Sequence, residues 1–284
     1  MDENNEEDYI QEKDLNGYSK SLSMEEMEII FTQMKKCLCY IECKDNGHGT
    51  GFFCNIPWDE WNNIRALITN NHVLAENDIQ LGKEIKCFIN NGEKTMKLVI
   101  DESRKIFTSQ KYDVTFIEVK KDDGLSKYSF LEVDDKINEG SPNVQFKNKS
   151  IYLLHYPKGN IIKKSEGIIK SIKEDNYNIL HSCDSSSGSS GGPLINFINF
   201  KVVGIHKGGA PGGKNWNVAT FIREPIQKFI EKYKTIIIKK ISDDLKEGKE
   251  EERKENEEER KENEEERKEI EETKKENEDE GNYF

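Results

Sequence analysis

Short apolar runs separated by glycine, asparagine and aspartate fill the chain from about residue 27 to 235. Each run has the length and the β-branched or aromatic content of a strand. The runs are KKCLCYIEC, GTGFFCNI, RALITNNHVL, EIKCFIN, TMKLVI, DVTFIEV, SIYLLHYP, EGIIKSI, NILHSC, GGPLIN, KVVGIHKGG and NVATFI. Many short strands at this spacing predict an all-β barrel or sandwich.

Helical periodicity precedes and follows these strands. The first helical segment is MEEMEIIFTQM, and the second is IREPIQKFIEKYKTIIIKKI. In the second, Pro225 suits a first helical turn, and an i, i+3, i+4, i+7 apolar stripe follows it at Ile226, Phe229, Ile230 and Tyr233. We therefore predict a C-terminal helix after the strands.

The two ends of the chain differ in composition from its centre. The 284 residues carry a formal net charge of −12. Residues 1–20 and 241–284 together contribute about −16, so the centre is mildly basic. Residues 1–25 are acidic and without period, which predicts a disordered N-terminus.

Residues 236–284 form a charged tail with a seven-residue repeat, EEERKEN. A coiled coil needs apolar a and d positions, and Ile270 alone supplies one. Pairs such as Glu250 and Lys254 have the i, i+4 order that stabilises an isolated helix. A single charged helix and a disordered arm both stay open.

Several classes of partner are disfavoured. The start, MDENNEEDYI, lacks the pattern of a signal peptide, and no apolar run reaches the roughly 18 residues of a membrane span, so we expect a cytoplasmic protein without a membrane partner. The small basic surplus of the centre argues against nucleic acid. Cys37, Cys39, Cys43 and His48 do not have the spacing of a zinc site, so neither metal nor cofactor is expected.

The segment HSCDSSSGSSGGPLI, residues 181–195, is rich in serine and glycine although apolar runs flank it. Within it GSSGGP fits G-x-S-G-G-P. A serine hydroxyl that attacks a carbonyl creates an oxyanion, which needs two converging backbone N–H donors. Ser190 is the predicted nucleophile, and the N–H groups of Gly188 and Ser190 are the predicted oxyanion hole. A flexible linker has the same composition, so this prediction needs partner residues.

A nucleophilic serine needs a general base and a carboxylate that orients the base. RALITNNHVL places His72 just after an apolar strand. KYDVTFIEV places Asp113 at the head of another strand. These two residues are the candidates, in the chain order His, Asp, Ser.

Together these blocks resemble the trypsin/chymotrypsin superfamily of serine proteases. The order GTGFFC, LITNNHVL, YDVTFIEV, GSSGGPLI and VVGIHKGG is similar to that family's blocks over about residues 35–232. The resemblance implies a protease domain over 27–235 with two six-stranded antiparallel barrels, followed by the helix and the charged tail. It implies a serine endopeptidase that hydrolyses peptide bonds through a Ser-His-Asp triad and an acyl-enzyme, with a protein or peptide as substrate.

The chain departs from the secreted digestive members at one informative position. Those enzymes keep an aspartate just before the nucleophile, which pairs with a newly cleaved N-terminus. Here that position is Ser189, and no Ile-Val-Gly-Gly start is present. We therefore expect no activation of that kind, and the pattern looks more like intracellular and bacterial branches, including the glutamyl endopeptidases.

Specificity for the residue before the scissile bond, P1, has conflicting indications. VVGIHKGG is similar to the glutamyl endopeptidase pattern, in which the histidine, here His206, contacts an acidic P1 side chain. Ser185 is expected on the opposite wall and Lys207 close by. Asp184, six residues before Ser190, stands where trypsin keeps an aspartate for basic side chains. Acidic P1 is favoured, and basic or small P1 stays open.

Two further expectations follow from the resemblance. If P1 is glutamate, the Glu-rich tail is a tethered candidate ligand that contacts the active-site cleft at high effective concentration. Alternatively, the domain is a catalytically silent module that binds extended peptide along Lys207, Gly208 and Gly209. Of the other histidines, His155 and His181 are expected to be structural, and His48 is expected in a loop.

Overall fold

A computed structural model describes residues 21–43, 47–58, 63–126, 129–159, 161–173, 177–212 and 215–280. The acidic segment predicted over residues 1–25 lies almost entirely outside these ranges. The chain divides into one unit that ends at Ile230 and a second unit that begins at Glu231.

The first helix, α1, spans Met24–Lys36 and agrees with the predicted helical segment. The hydroxyl of Ser23 accepts the N–H of Glu26, and the Glu26 carboxylate accepts the N–H of Ser23, which gives the helix a capping box. The buried side chain of Gln33 accepts the hydroxyl proton of Tyr152 at 2.6 Å. This bond ties α1 to β9, which belongs to the second sheet.

The first sheet contains eight strands within the described residues. They are β1 (Leu38–Glu42), β2 (His48–Pro57), β3 (Asn63–Thr69), β4 (Glu84–Ile89), β5 (Lys94–Val99), β6 (Ile106–Ser109), β7 (Val114–Glu118) and β8 (Leu131–Glu132). The order is β5-β4-β1-β2-β3-β7-β6, with antiparallel neighbours, and β8 adds to β2 in parallel. Its core is apolar and includes Ile41, Phe53, Leu67, Leu98 and Ile117.

The second sheet closes into a six-stranded antiparallel barrel in the described part of the chain. Its strands are β9 (Ser150–His155), β10 (Lys163–Ile172), β11 (Asn178–His181), β12 (Pro193–Asn196), β13 (Val202–Gly209) and β14 (Asn217–Phe221). The closed order is β10-β11-β14-β13-β12-β9. A short helix, α2 (Pro142–Phe146), lies in the connection between the two sheets.

The predicted all-β, chymotrypsin-like architecture is therefore confirmed. The first sheet differs in detail from a closed six-stranded barrel, because its strand pairing is open between β5 and β6 and it gains β8. A two-residue strand has no detectable period in a sequence, so β8 was not predictable from pattern.

The last helix, α3, spans Arg223–Glu280 and includes the charged tail. At its start Ile226 and Phe229 are buried. The ring of Phe229 meets the ring of Phe116 edge-to-face at 5.8 Å, so the helix start packs on β7. No helix among the described residues is both long enough and apolar enough to cross a membrane.

Candidate active site

His72 lies in the turn after β3, and its ring is bonded to Asp113. Nδ1 of His72 lies 2.8 Å from Oδ2 of Asp113, and the backbone N–H of His72 donates to Oδ1 at 3.0 Å. The carboxylate thus contacts both the ring and the main chain of His72. Because a carboxylate accepts, Nδ1 carries the proton, and Nε2 is left as a proton acceptor.

Asp113 owes its position to an unusual backbone conformation just before β7. Its φ is +53°, in the left-handed region that aspartate tolerates better than most residues. The carbonyl of Asp113 accepts the side-chain N–H of Asn70 at 2.8 Å, which joins it to the His72 turn. From the second barrel, the hydroxyl of Thr220 donates to the carbonyl of Tyr112 at 2.5 Å.

The pKa of the Asp113 carboxyl lies below its ordinary value. Burial, the largest influence, raises that pKa. The hydrogen bond from the His72 ring, the charge of that ring, the His72 N–H and the charge of Lys207 lower it and together outweigh burial. Asp113 is therefore ionised at neutral pH, as a residue that orients a histidine should be.

Ser190 lies in the segment between β11 and β12. Its carbonyl accepts the N–H of Thr50 from the first sheet at 2.8 Å, and the N–H of Gly191 donates to the carbonyl of His206 at 2.9 Å. Its hydroxyl donates to the carbonyl of Lys207 at 2.9 Å rather than to the His72 ring. The main chain of Ser190 is thus fixed by both barrels, while its hydroxyl points to β13.

Gly191 lies against the first sheet with no room for a side chain. Its φ is +89°, and a Cβ added there would lie 2.0 Å from the carbonyl oxygen of Thr50 and 2.4 Å from the hydroxyl oxygen of Thr69. The Thr69 hydroxyl also donates to the Thr50 carbonyl at 2.8 Å. Because Thr69 is three residues before His72, these contacts bring the Ser190 segment and the His72 turn together.

The N–H groups of Gly188 and Ser190 are the predicted oxyanion donors. Within the ranges that the structure describes, neither donates to a protein acceptor. Gly188 has φ +89°, and its carbonyl accepts the Thr50 hydroxyl at 2.8 Å. A Cβ on Gly188 would lie 2.6 Å from Nε2 of His48. His48 was expected in a loop, but it is the first residue of β2 and its ring fills the space behind Gly188.

Two buried histidine rings lie together in the second barrel. Nδ1 of His206, on β13, is 3.1 Å from Nε2 of His181, on β11. Burial lowers the pKa of His181 to about 3 and lowers that of His206 well below its ordinary value, the charges of neighbouring histidines adding to the effect on His206. Both rings are therefore neutral at pH 7. Nδ1 of His181 is buried without a hydrogen-bond partner.

The other residues predicted to contact substrate lie around the same region. The Lys207 ammonium donates to the side-chain oxygen of Asn178 at 3.0 Å. Gly208 and Gly209 pair with β14. The side chain of Asp184 is exposed and Ser185 is half-buried. No direct hydrogen bond joins either of these last two residues to His206 in the described part of the chain.

The fold described so far is that of the chymotrypsin-like class of serine peptidases. The family model of the trypsin-like peptidase domain matches residues 49–205, more than half of the chain, and the chain belongs to that family. It is a serine-type peptidase that acts on peptides or proteins.

Solved structures of similar fold support this assignment. A serine endoprotease from Yersinia pestis is 13% identical, with a TM-score of 0.53 over 74% of this chain and 68% of that chain. An inactive serine-to-alanine mutant of Rv3671c from M. tuberculosis H37Rv is 18% identical, with a TM-score of 0.50 over 72% of this chain and 89% of that chain. The HtrA-type protease AlgW, with tripeptide, is 13% identical, with a TM-score of 0.50 over 72% and 62%. At these identities the likeness concerns the fold.

We predict that Gly191→Ala destabilises the protein much more than Gly82→Ala. Both glycines have positive φ, but a Cβ at Gly82 meets nothing within 4 Å, whereas at Gly191 it meets Thr50 and Thr69. Gly82→Ala should cost about 1 kcal/mol of unfolding free energy and Gly191→Ala at least about 3. Urea denaturation measures both, and equal losses would contradict the steric account.

The buried histidines predict a loss of stability in acid. In the unfolded chain each has the ordinary pKa of 6.5, and in the folded chain burial lowers that of His155 to about 4 and that of His181 to about 3. The unfolded chain therefore binds more protons below pH 6.5. The free energy of unfolding is therefore unaffected by these histidines above about pH 6.5, and at pH 5 it is lower by about 2 kcal/mol for each histidine.

Urea denaturation at pH 7.5, 6 and 5 tests this prediction. His181→Phe should show a shallower fall in unfolding free energy than the wild type. Ile205→Val, a buried change without a titrating group, should lower stability by the same amount at each pH. A wild-type slope in His181→Phe would show that this ring does not contribute.

Proposed function

We propose that the chain is an active endopeptidase in which Ser190 is the nucleophile, His72 the general base and Asp113 the residue that orients the base. The observation that carries the proposal is the double contact of Asp113 with the ring and the backbone N–H of His72. It fixes the tautomer in which Nε2 accepts a proton from a serine.

We propose that rotation of its side chain brings the hydroxyl of Ser190 to His72. Its backbone is held beside the His72 turn through Thr50 and Gly191. Its present acceptor, the Lys207 carbonyl, lies on β13, where a substrate that adds as an extended strand would place its own P1 N–H. We propose that the P1 N–H replaces the Ser190 hydroxyl as the donor to the Lys207 carbonyl, and that the hydroxyl then rotates toward Nε2 of His72.

The reaction follows from these roles. The oxygen of Ser190 attacks the scissile carbonyl carbon while Nε2 of His72 takes its proton, and the N–H groups of Gly188 and Ser190 stabilise the resulting oxyanion. His72 then gives the proton to the leaving amine, and the peptide C–N bond breaks to leave an acyl-enzyme. Water hydrolyses the ester by the same proton transfers in reverse.

The triad proposal predicts that Ser190→Ala loses at least about 10⁴-fold in kcat, and that Asp113→Asn loses about as much because the tautomer of His72 is no longer fixed. A fluorophosphonate probe should label the wild type and not Ser190→Ala. Ser129→Ala removes a buried serine hydroxyl elsewhere and should keep both the peptidase activity and the labelling.

The same measurements test the alternative of a silent peptide-binding module. A wild type that binds peptide but neither hydrolyses it nor reacts with the probe would support that alternative. Probe labelling that persists in Ser190→Ala would show that another residue is the nucleophile.

The histidine pair supports a P1 side chain that accepts hydrogen bonds. The hydrogen bond between Nδ1 of His206 and Nε2 of His181 contains one proton, which one of the two rings donates. If His206 donated it, the proton of His181 would sit on its buried Nδ1 without an acceptor. Buried N–H groups without acceptors are rarer than under-used acceptors, so His181 is the donor and His206 carries its own proton on Nε2.

A neutral N–H at Nε2 of His206 fits the carboxylate of glutamate or the carboxamide of glutamine. We propose glutamate, since a carboxylate makes the stronger, charge-assisted bond. Lys207 holds its ammonium toward Asn178, so the pairing does not rely on that charge. The exposed carboxylate of Asp184 is the competing feature and would favour a basic P1 side chain instead.

We predict that the wild type cleaves peptides with P1 glutamate faster than matched peptides with glutamine, lysine or alanine. His206→Leu should lose about 10–100-fold in kcat/KM for glutamate and far less for alanine, because it removes one hydrogen bond to a charged group. Asp184→Asn is the matched control and should leave the glutamate preference intact. A lysine preference that disappears in Asp184→Asn would overturn the assignment of P1.

A further inference from the structure

Ser189, the residue before the proposed nucleophile, has a buried hydroxyl with two partners. Its oxygen lies 2.6 Å from Nδ1 of His155, at the end of β9, and accepts the backbone N–H of Ser186 at 3.0 Å. Both side chains are almost fully buried. Ser189 is therefore tied to its own loop through Ser186 and to β9 through His155.

The contact can form with either tautomer of His155. The Ser189 hydroxyl accepts the N–H of Ser186, and with one proton and a second lone pair it can either donate to Nδ1 of His155 or accept from it. Burial lowers the pKa of His155 to about 4, with the carboxylate of Asp184 raising it and the ammonium of Lys163 lowering it. The partner of Ser189 at neutral pH is therefore an uncharged imidazole.

The contact lies at the centre of the loop that holds the proposed oxyanion donors. The N–H of Ser189 donates to the carbonyl of Ser186 at 3.0 Å, and the N–H of Gly192 donates to the carbonyl of Ser189 at 3.1 Å. The loop thus folds around the Ser189 side chain, and Gly188 and Ser190 are its immediate neighbours. His155 belongs to a strand paired on both sides, by β10 and β12.

We infer that the hydrogen bond between Ser189 and His155 is a positioning contact that holds Gly188 and Ser190 with both N–H groups directed away from the protein. It does so in the chain as folded, without a newly generated N-terminus. The inference rests on the proposed function, because it takes these two N–H groups to be the oxyanion donors.

The test compares steady-state kinetics of Ser189→Ala, His155→Leu and the double variant with those of the wild type. Each single variant should lower kcat about 10–100-fold and change KM less than threefold, because a misplaced donor weakens transition-state binding rather than substrate binding. The double variant should be no worse than either single one. Ser129→Ala is the matched control, since it also removes a buried serine hydroxyl and one side-chain hydrogen bond, outside this loop.

His155→Asn supplies a rescue arm, because its side-chain oxygen reaches about the position of Nδ1. It should recover most of the kcat that His155→Leu loses. If His155→Leu does not fold, as judged by circular dichroism, Ser189→Ala and its comparison with Ser129→Ala decide the matter, since Ser189→Ala removes a single oxygen.

The outcomes separate the inference from the function on which it rests. If Ser190→Ala is inactive while Ser189→Ala keeps kcat within twofold of Ser129→Ala, the contact does not position the loop and the inference is wrong. If Ser190→Ala keeps wild-type activity, the proposed nucleophile itself is wrong. A higher KM with unchanged kcat would also count against a role in oxyanion stabilisation.

Discussion

The hydrogen bonds of Thr50 are the constraint on which the site depends. Its N–H donates to the carbonyl of Ser190, its carbonyl accepts the hydroxyl of Thr69, and its own hydroxyl donates to the carbonyl of Gly188 while accepting the N–H of Tyr156. Thr50 is fully buried, so each of these polar groups has to find a partner inside the protein. One residue of the first sheet thereby sets the distance between the proposed nucleophile and the turn that carries the proposed base.

Few of the buried titratable groups near the proposed site are charged at neutral pH. Asp113 is ionised, and its charge is compensated by His72 and, to a smaller extent, by the charge of Lys207. The buried rings of His155, His181 and His206 are neutral, because burial lowers the pKa of each. Neutral, buried neighbours lower the local polarity, which strengthens the contacts of the Asp113 carboxylate and of an oxyanion formed near it.

The sequence was sufficient for the architecture and for the candidate residues, because both leave local patterns. Strand period predicted an all-β barrel or sandwich, and the resemblance to the trypsin/chymotrypsin superfamily implied two barrels. Glycine with serine predicted the segment that holds Ser190. The contacts that join these segments were not predictable. Thr50 and Gly188 are 138 positions apart, and Ser189 and His155 are 34 apart, and a single serine or threonine has no pattern that announces a distant partner. The position of His48 was missed for the same reason. Its ring packs against Gly188, which is distant in sequence, and its own sequence neighbours do not indicate this contact.

Several weak hydrogen bonds, and no ion pair among the described contacts, hold the loop around Ser190. A buried ion pair carries a desolvation cost and requires a charged partner. The neutral bond from Ser189 to His155 avoids that cost, but a bond of this kind contributes only about 1 kcal/mol. The loop is therefore held at further points, by Thr50 at Gly188 and by the N–H of Lys158, which donates to the carbonyl of Ser187 at 2.6 Å. The partners of the loop come from Thr50 of the first sheet, from His155 at the end of β9 and from Lys158, so its conformation depends on contacts with both sheets.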